Sequence, residues 1–244
     1  MQGTACAACP LRTRGAFTSN TPEEIAFIQA FKRRELTVEP GFQIVGERTP
    51  AGDLYTLLEG WAFRQRTLSD GRRQILNFLF PGDFVGLQEN LSGIAEYSVE
   101  TLTSVRLCVF PRDQLWDLYR QFPSLAYDLT WLSSFEQRIV DQNLVSVGVR
   151  NAEERIAMLL LHLYKRAAAL GLADDSRSIP FPISQQHIAD ALGLSLVHTN
   201  RSLRKLQKMG LHEITGRRLR LLKPNALERL ADYYEAPLRR RPLI

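Results

Sequence analysis

The chain has 244 residues, of which 45% are hydrophobic and 23% are charged, close to the averages for a globular protein. This composition excludes a disordered, a collagen-like and a disulfide-framework chain, and the apolar runs are too short to span a membrane. With three cysteines and no secretory signal, we expect a cytoplasmic protein without a membrane partner. The length predicts one large domain or two modest ones.

The net charge of +5 is unevenly distributed along the chain. Residues 1–150 carry 15 basic and 17 acidic side chains, which is a net charge of −2. Residues 151–244 carry 16 basic and 9 acidic side chains, which is a net charge of +7. A basic second part favours a polyanionic partner, with a solvated basic face as the alternative.

The first 110 residues predict an extension, a helix and then a series of short strands. Thr21 suits the N-cap of the helix, and Pro22 suits its first position. From Leu36 to Phe110 apolar runs alternate with turns rich in glycine and proline, which is typical of a small barrel or β-roll. The strand-like runs are Leu36–Val38, Phe42–Val45, Leu54–Leu58, Gln74–Leu79 and Val105–Phe110, and Ser69-Asp70-Gly71 favours a hairpin.

Two longer helices are predicted next, from about Pro123 to Gly148 and from about Ala152 to Leu170. The first has a heptad-like apolar stripe. Such a stripe fits a helix that lies on its own β-roll and equally a helix that pairs with a second copy. In the second case the dimer interface comprises Leu125, Leu129, Leu132, Ile139 and Val145.

The segment that follows carries the most specific pattern. Ser184 and Ser195 suit the N-caps of two short helices, the second from Leu196 to Met209, and Gly193 suits the turn between them. This spacing is typical of a helix-turn-helix, and the hairpin with Thr215-Gly216-Arg217-Arg218 at its tip makes it a winged helix. Residues near the start of a recognition helix reach base edges, and basic residues around them contact phosphates. We therefore predict that double-stranded DNA is bound by Ser184, Gln185, Ser195, Leu196, Val197, His198, Asn200, Arg201, Arg204, Lys205, Arg217 and Arg218.

Three stretches together resemble the Crp–Fnr superfamily of transcription factors. They are Leu57-Leu58-Glu59-Gly60 with Asp70-Gly71-Arg72, Pro81-Gly82-Asp83-Phe84-Val85-Gly86, and the helix-turn-helix from Ser184 to Leu211. The resemblance, which runs from Cys6 to about Leu230, implies an α+β fold. Its parts are a Cys-containing extension (1–20), a cyclic-nucleotide-binding-like β-roll sensor (21–122), a dimerisation helix (123–150) and a winged helix-turn-helix domain (151–244). It also implies a homodimer that contacts RNA polymerase and binds a two-fold symmetric operator, whose half-sites lie one helical turn (~34 Å) apart.

The same resemblance bears on the signal that the β-roll receives. The cyclic-AMP branch of the family supplies a Glu for the ribose and an Arg for the phosphate, and Leu87 and Tyr97 stand at those positions here. A buried cyclic phosphate would lack its charged partner, which argues against cyclic AMP. Haem needs axial ligands such as histidine, and all four histidines follow residue 150, which argues against haem.

Oxygen-sensing members of the family hold an iron–sulfur cluster with three N-terminal cysteines and one from the last strands of the roll. Cys6, Cys9 and Cys108 resemble three of these ligands, whereas Gly15, near the remaining position, cannot bind iron. Two interpretations stay open. Either a water or carboxylate completes a labile cluster, or Cys108 is a buried small apolar side chain and Cys6 and Cys9 are redox-active or inert.

The predicted function is a sequence-specific DNA-binding transcription regulator that is controlled by a signal at the β-roll. The alternative is a regulatory module without DNA binding, because kinases and channels controlled by cyclic nucleotides share the β-roll. The basic second part and the winged helix count against this alternative. No enzyme is expected, because no G-x-S-x-G, H-E-x-x-H or phosphate-loop motif occurs.

Overall fold

A computed structural model describes residues 3–90, 93–234 and 239–244 of the chain. The chain divides into two compact units, which are Met1–Arg66 with Asn77–Arg138 and Arg239–Ile244, and Thr67–Leu76 with Ile139–Leu238. Two short segments, residues 67–76 and 239–244, therefore belong to a different unit from their neighbours in sequence. The predicted domain boundaries instead keep residues 67–76 with the β-roll (21–122) and residues 239–244 with the winged helix-turn-helix domain (151–244).

Eight strands form the β-roll. They are β1 (Arg34–Val38), β2 (Gln43–Val45), β3 (Leu54–Glu59), β4 (Ala62–Thr67), β5 (Arg73–Leu79), β6 (Phe84–Val85), β7 (Ser98–Thr101) and β8 (Val105–Phe110). The strand orders of the two sheets are β1-β8-β3-β6 and β2-β7-β4-β5. Strand β8 is antiparallel to both β1 and β3, and β7 is antiparallel to both β2 and β4.

The five predicted strand runs are confirmed as β1, β2, β3, β5 and β8, and the hairpin at Ser69-Asp70-Gly71 is confirmed between β4 and β5. Strands β4, β6 and β7 were not predicted. Strand β4 places two polar side chains, Arg64 and Gln65, in the interior, so its sequence lacks the apolar alternation of a typical strand. The other two strands are only two and four residues long.

The apolar side chains of the β-roll are buried, as the strand pattern predicts. Leu54, Leu57 and Phe63 have no exposed surface, and burial of such side chains stabilises the fold by about 1.5–3 kcal/mol each. Helix α1 (Pro22–Phe31) packs on this core through the ring of Phe31, whose centroid lies 5.1 Å from that of Phe110. The Thr21 hydroxyl accepts a hydrogen bond from the Glu24 N–H at 3.2 Å, so the predicted N-cap is confirmed.

Helix α2 (Leu115–Gln121), which was not predicted, follows β8 and precedes the long helix α3 (Pro123–Val149). The predicted dimer stripe of α3 is placed mostly inside the single chain. Leu125, Leu129, Leu132 and Ile139 are buried within the chain itself, whereas Val145 is exposed. The other large apolar side chains that α3 exposes are Tyr127, Leu144 and Val149.

Within the described residues, four helices and three short strands follow α3. They are α4 (Ala152–Ala169), β9 (Ser178–Pro180), α5 (Gln185–Leu192), α6 (Leu196–Lys208), β10 (His212–Thr215), β11 (Arg218–Leu221) and α7 (Pro224–Ala231). Asn151 caps α4 by accepting a hydrogen bond from the Glu154 N–H at 3.1 Å, and Ile156, Leu160 and Leu161 bury its inner face. Strands β9, β10 and β11 form one sheet with β11 in the centre. Within the described ranges, the helices are all too short or too polar to cross a membrane.

Candidate DNA-binding interface

The two helices of the predicted helix-turn-helix begin at the residues that the sequence indicates. The Ser184 hydroxyl accepts a hydrogen bond from the His187 N–H, and the Ser195 hydroxyl accepts one from the His198 N–H, each at 3.2 Å. Each serine thus satisfies one of the N–H groups that a helix leaves unpaired at its start. Gly193 ends α5 in the left-handed conformation with a φ of 62°, which only glycine adopts without strain.

Helix α6 has one buried and one exposed face. Its inner face is formed by Leu203 and Leu206 together with Thr199 and Ser202, all of which are buried. Its outer face lines an open groove of about 720 Å³, whose lining residues are Val197, Asn200, Arg201, Arg204, Lys205, Lys208 and Met209. Four of these seven side chains carry a positive charge, so the outer face favours an anionic partner.

The first turn of α6 presents an apolar surface beside this charge. Val197 is 80% exposed and Leu196 is 42% exposed, although both side chains would be more stable if removed from water. Arg201 is exposed one helical turn further along. Two exposed apolar side chains next to an arginine form a surface that can contact both methyl groups and hydrogen-bond acceptors of bases.

Lys205 and Arg218, both predicted DNA contacts, already have partners within the second unit. Lys205 Nζ lies 3.2 Å from Glu153 Oε1 and its side chain remains 62% exposed. Arg218 Nη2 lies 2.7 Å from Asp174 Oδ2 and donates a hydrogen bond to the Ser178 carbonyl oxygen. The wing is the hairpin of β10 and β11. Through these contacts Arg218 connects the wing to β9 and the residues before it, a connection that the sequence did not indicate.

Arg217 carries the exposed charge at the tip of the wing. The two-residue loop between β10 and β11 consists of Gly216 and Arg217, and φ is 58° at both positions. Positive φ at both residues is the backbone of a type I′ hairpin turn. The remaining predicted residues Ser184, Gln185 and Ser195 are exposed at the starts of α5 and α6, while His198 and Asn200 are partly exposed.

The tip of the β4–β5 hairpin contacts α5, a contact that the sequence did not reveal. Arg73 Nε lies 2.6 Å from Asp190 Oδ2, and the two side chains are only 28% and 12% exposed. The Gln74 amide donates a hydrogen bond to the Ala191 carbonyl oxygen at 2.9 Å. Because these groups are more than 100 residues apart in sequence, no local pattern could have indicated the pairing.

Comparisons with known proteins agree with this architecture. A family model for the cyclic nucleotide-binding domain matches residues 35–122, and one for the Crp-like helix-turn-helix domain matches residues 154–230. The nitrogen fixation regulation protein FixK of Bradyrhizobium diazoefficiens is 32% identical over 229 residues, which cover 94% of this chain and 94% of that protein. The chain belongs to the Crp–Fnr family of transcription regulators.

Two further relatives support the Crp–Fnr assignment. The transcriptional activator protein FnrL of Cereibacter sphaeroides is 27% identical over 87% of this chain and 86% of its own length. The structure of FixK2 from Bradyrhizobium japonicum has a TM-score of 0.73 and 29% sequence identity, covering 83% of this chain and 98% of its own. The predicted fold class and the predicted function, DNA-binding transcription regulation, are confirmed. The match over residues 154–230 speaks against the alternative of a regulatory module without DNA binding.

In the β-roll of this chain, a buried polar cluster surrounds Arg64. Arg64 Nη1 lies 2.9 Å from Glu136 Oε1, and the Gln88 side chain accepts a hydrogen bond from Arg64 and donates one to Glu136. The Arg64 guanidinium also lies over the buried Tyr97 ring, 5.0 Å from its centroid. The charge of Arg64 is therefore neutralised by a carboxylate of the same unit, which weakens its attraction for a phosphate.

Two of the three cysteines are buried where the extension meets the β-roll. Burial raises the pKa of the Cys108 thiol to about 12 and also raises the pKa of Cys6, with Lys32 nearby opposing both shifts. Across the β1–β8 pairing Cys108 stands opposite Glu35. Among the residues that the structure describes, no three Cys, His, Asp or Glu side chains converge as metal ligands. The charges of Cys6 and Cys9 both act on the pKa of Cys108, after the larger effect of burial, so the three thiols lie near one another.

Proposed function

We propose that the chain is a homodimeric regulator that places α6 of each copy in the major groove of a two-fold symmetric operator. The observation that carries this proposal is the outer face of α6, where exposed Val197 and Arg201 are followed by further basic residues along one groove. A helix presented in this way fits the width of the major groove.

The residues of this interface have two different tasks in the proposed complex. Arg201 reads a guanine with two hydrogen bonds, and Val197 contacts a thymine methyl group. The other side chains fix the position of the domain by contacting phosphates and sugars. These positioning residues are Ser184, Gln185, Ser195, His198, Asn200, Arg204, Lys205, Arg217 and Arg218, of which Lys205 and Arg218 already have acidic partners within the second unit. Leu196 instead extends the apolar contact of Val197 with the bases.

A binding experiment tests this function directly. Operator sequences are selected from random duplexes, and affinity for the selected and a scrambled duplex is measured by fluorescence anisotropy between about 50 and 200 mM salt. We expect a selected site with two-fold symmetry and an affinity for both duplexes that falls steeply with salt. Absence of any duplex binding at the lowest salt would refute the proposal.

The dimer forms through the exposed apolar residues of α3 in this proposal. Tyr127, Leu144, Val145 and Val149 are 51–80% exposed, and apolar surface on one helix is stabilised by a second copy. Of the five residues predicted from the heptad spacing, Val145 is the one that is exposed in the single chain. Sedimentation of the purified chain at micromolar concentration measures whether its mass is that of one copy or of two.

Two expectations that come from the family complete the proposal. A regulator of this type contacts RNA polymerase, which co-sedimentation with the purified enzyme on operator DNA would detect. The chain acts in the cytoplasm, where the DNA is.

The signal that controls the regulator acts on the first unit in this proposal. The burial of Cys108 and Cys6 supports the second of the two interpretations, in which Cys108 is a small apolar side chain and Cys6 and Cys9 are redox-active or inert. We therefore expect protein purified without oxygen to contain less than stoichiometric iron and acid-labile sulfide. Full iron and sulfide occupancy that is lost in Cys108→Ser would establish the cluster instead.

A further inference from the structure

The last six residues of the sequence pair with the N-terminal part of the first unit. The Arg241 N–H donates a hydrogen bond to the Ala16 carbonyl oxygen, and the Thr18 N–H donates one to the Arg241 carbonyl oxygen, both at 2.8 Å. Arg241 and Phe17 thereby form a parallel β-bridge. The segment 239–244 is thus held by its backbone in the manner of an added strand.

The Arg241 side chain is buried in a site that neutralises its charge. Arg241 Nη2 lies 2.5 Å from Asp83 Oδ1 and 3.3 Å from the Gly82 carbonyl oxygen, and the Arg241 and Asp83 side chains are 11% and 8% exposed. The guanidinium also lies over the Phe135 ring, 4.8 Å from its centroid. A buried charge is tolerated only with such partners, so the position is specific for arginine.

The two residues that end the segment fill an apolar part of the same cleft. Leu243 is 3% exposed and Ile244 is 5% exposed. The Thr56 hydroxyl, on the buried side of β3, donates a hydrogen bond of 2.6 Å to a backbone oxygen of Ile244. In contrast, Arg239 and Arg240 are exposed, so the segment has an anchored part and a solvated part.

We propose that the first unit carries a peptide-binding cleft whose ligand is the arginine-containing segment 239–244 of the same chain. The cleft consists of residues 16–18, the Pro81-Gly82-Asp83 turn, Thr56 and Phe135. The larger part of the second unit, residues 139–238, lies between α3 and residue 239 in sequence, so an occupied cleft holds both ends of this stretch to the first unit. Release of the segment frees the far end of residues 139–238, which then remain joined to the first unit in sequence through α3 alone, while the β4–β5 hairpin links the units separately. The segment is therefore a releasable tether.

A peptide-binding experiment tests this cleft. A chain that lacks residues 239–244 is titrated into a fluorescent synthetic hexapeptide with the sequence of 239–244, and anisotropy is recorded. We expect saturable binding by the shortened chain and at least about tenfold weaker binding by the full chain, whose own segment occupies the cleft. Equal binding by both chains would overturn the proposal.

Two peptide variants separate specific binding from attraction to positive charge. A peptide with the Arg241→Ala change should bind about tenfold or more weakly, because the charged hydrogen bonds to Asp83 are lost. A peptide with the Arg239→Ala change loses the same charge at an exposed position and should bind like the parent. Equal weakening by both changes would refute the cleft.

Hydrogen exchange in the full chain keeps the proposal testable if the shortened chain does not fold. We expect slow exchange at the Thr18 and Arg241 amides, faster exchange there in Arg241→Ala, and no change in Arg239→Ala. Unchanged protection in Arg241→Ala would contradict the cleft. Protection that falls on dilution would contradict the assignment to the same chain, because it would indicate the segment of a second copy.

Discussion

Arg201 is the residue on which base recognition depends in the proposed complex. It is exposed one turn into α6, whereas Lys208 lies on the same face near the end of that helix. We expect Arg201→Ala to weaken binding to the selected operator by about 1–3 kcal/mol and to relax one base-pair position. Lys208→Ala should instead weaken binding to selected and scrambled duplexes alike and reduce the salt slope by about one. If Arg201→Ala weakened both duplexes equally, its role in base recognition would be wrong.

His212, the first residue of β10, makes the stability of the second unit depend on pH. It is 3% exposed, and burial lowers its pKa below the ordinary value. Above about pH 6.5 both folded and unfolded states are neutral, but below it the unfolded chain takes up a proton that folded His212 resists. The free energy of unfolding therefore falls as the pH falls, by at most about 1.4 kcal/mol per pH unit for one proton.

His212→Gln removes this group and should make the decline between about pH 7 and pH 5 shallower, as measured by urea unfolding. A decline of the same sign remains, because the pKa of His187 is also lowered, first by burial and then by Arg73. An identical pH dependence in the variant and the parent would show that His212 does not contribute.

At the scale of elements, the hairpin tip that contacts α5 supports the helix-turn-helix. The Arg73–Asp190 ion pair is largely shielded from water, so its loss leaves a charge partly buried. We expect Arg73→Ala to speed hydrogen exchange of the α5 amides, as measured by mass spectrometry. Arg72→Ala is the matched control, because Arg72 pairs with Asp70 on the exposed tip and is itself 78% exposed. Equal effects of the two variants would argue against a role of the Arg73 contact.

In the proposed dimer, helix α3 packs one face against its own chain and one against a second copy. Leu132 is 6% exposed and Val149 is 80% exposed. We expect Leu132→Ala to lower the free energy of unfolding by about 2–5 kcal/mol while the protein still sediments as a dimer. Val149→Glu should sediment as a monomer, because a carboxylate in an apolar interface is costly. If Leu132→Ala were monomeric and Val149→Glu dimeric, the dimer interface would be the stripe predicted from the heptad spacing and not the exposed face of α3.

On the scale of the whole molecule, local signals predicted the order of elements well. N-caps at Thr21, Ser184 and Ser195 and the glycine that ends α5 are decided by neighbouring residues, so the sequence indicates them directly. Heptad spacing predicted the length of α3 but not its buried face, because periodicity is the same for an intrachain and an interchain contact. Strand β4 was missed because its buried Arg64 is stabilised by Glu136, a partner far away in sequence.

Contacts between residues that are distant in sequence also limit what the sequence shows of the candidate site. Helix α6 could be predicted because its caps, its apolar seam and its basic face are all local. The engagement of Arg218 with Asp174, and of Arg73 with Asp190, depends on tertiary contacts over 44 and 117 residues. The docking of residues 239–244 on the first unit spans more than 150 residues and leaves no periodic signal.

In the proposed complex, the spacing of the operator follows from the two-fold symmetry of the homodimer. Two copies of α6 related by a two-fold axis reach successive major grooves on one side of the duplex, so their half-sites lie one helical turn (~34 Å) apart. Inserting about 5 base pairs, half a turn, moves one half-site to the opposite side of the DNA. We expect this insertion to reduce affinity for the selected operator to that of a duplex with a single half-site in a competition assay. Val149→Glu should bind the original and the expanded operator equally, because its monomers read each half-site independently. Full affinity of the parent chain for the expanded operator would mean that the two recognition helices are not held by a rigid dimer.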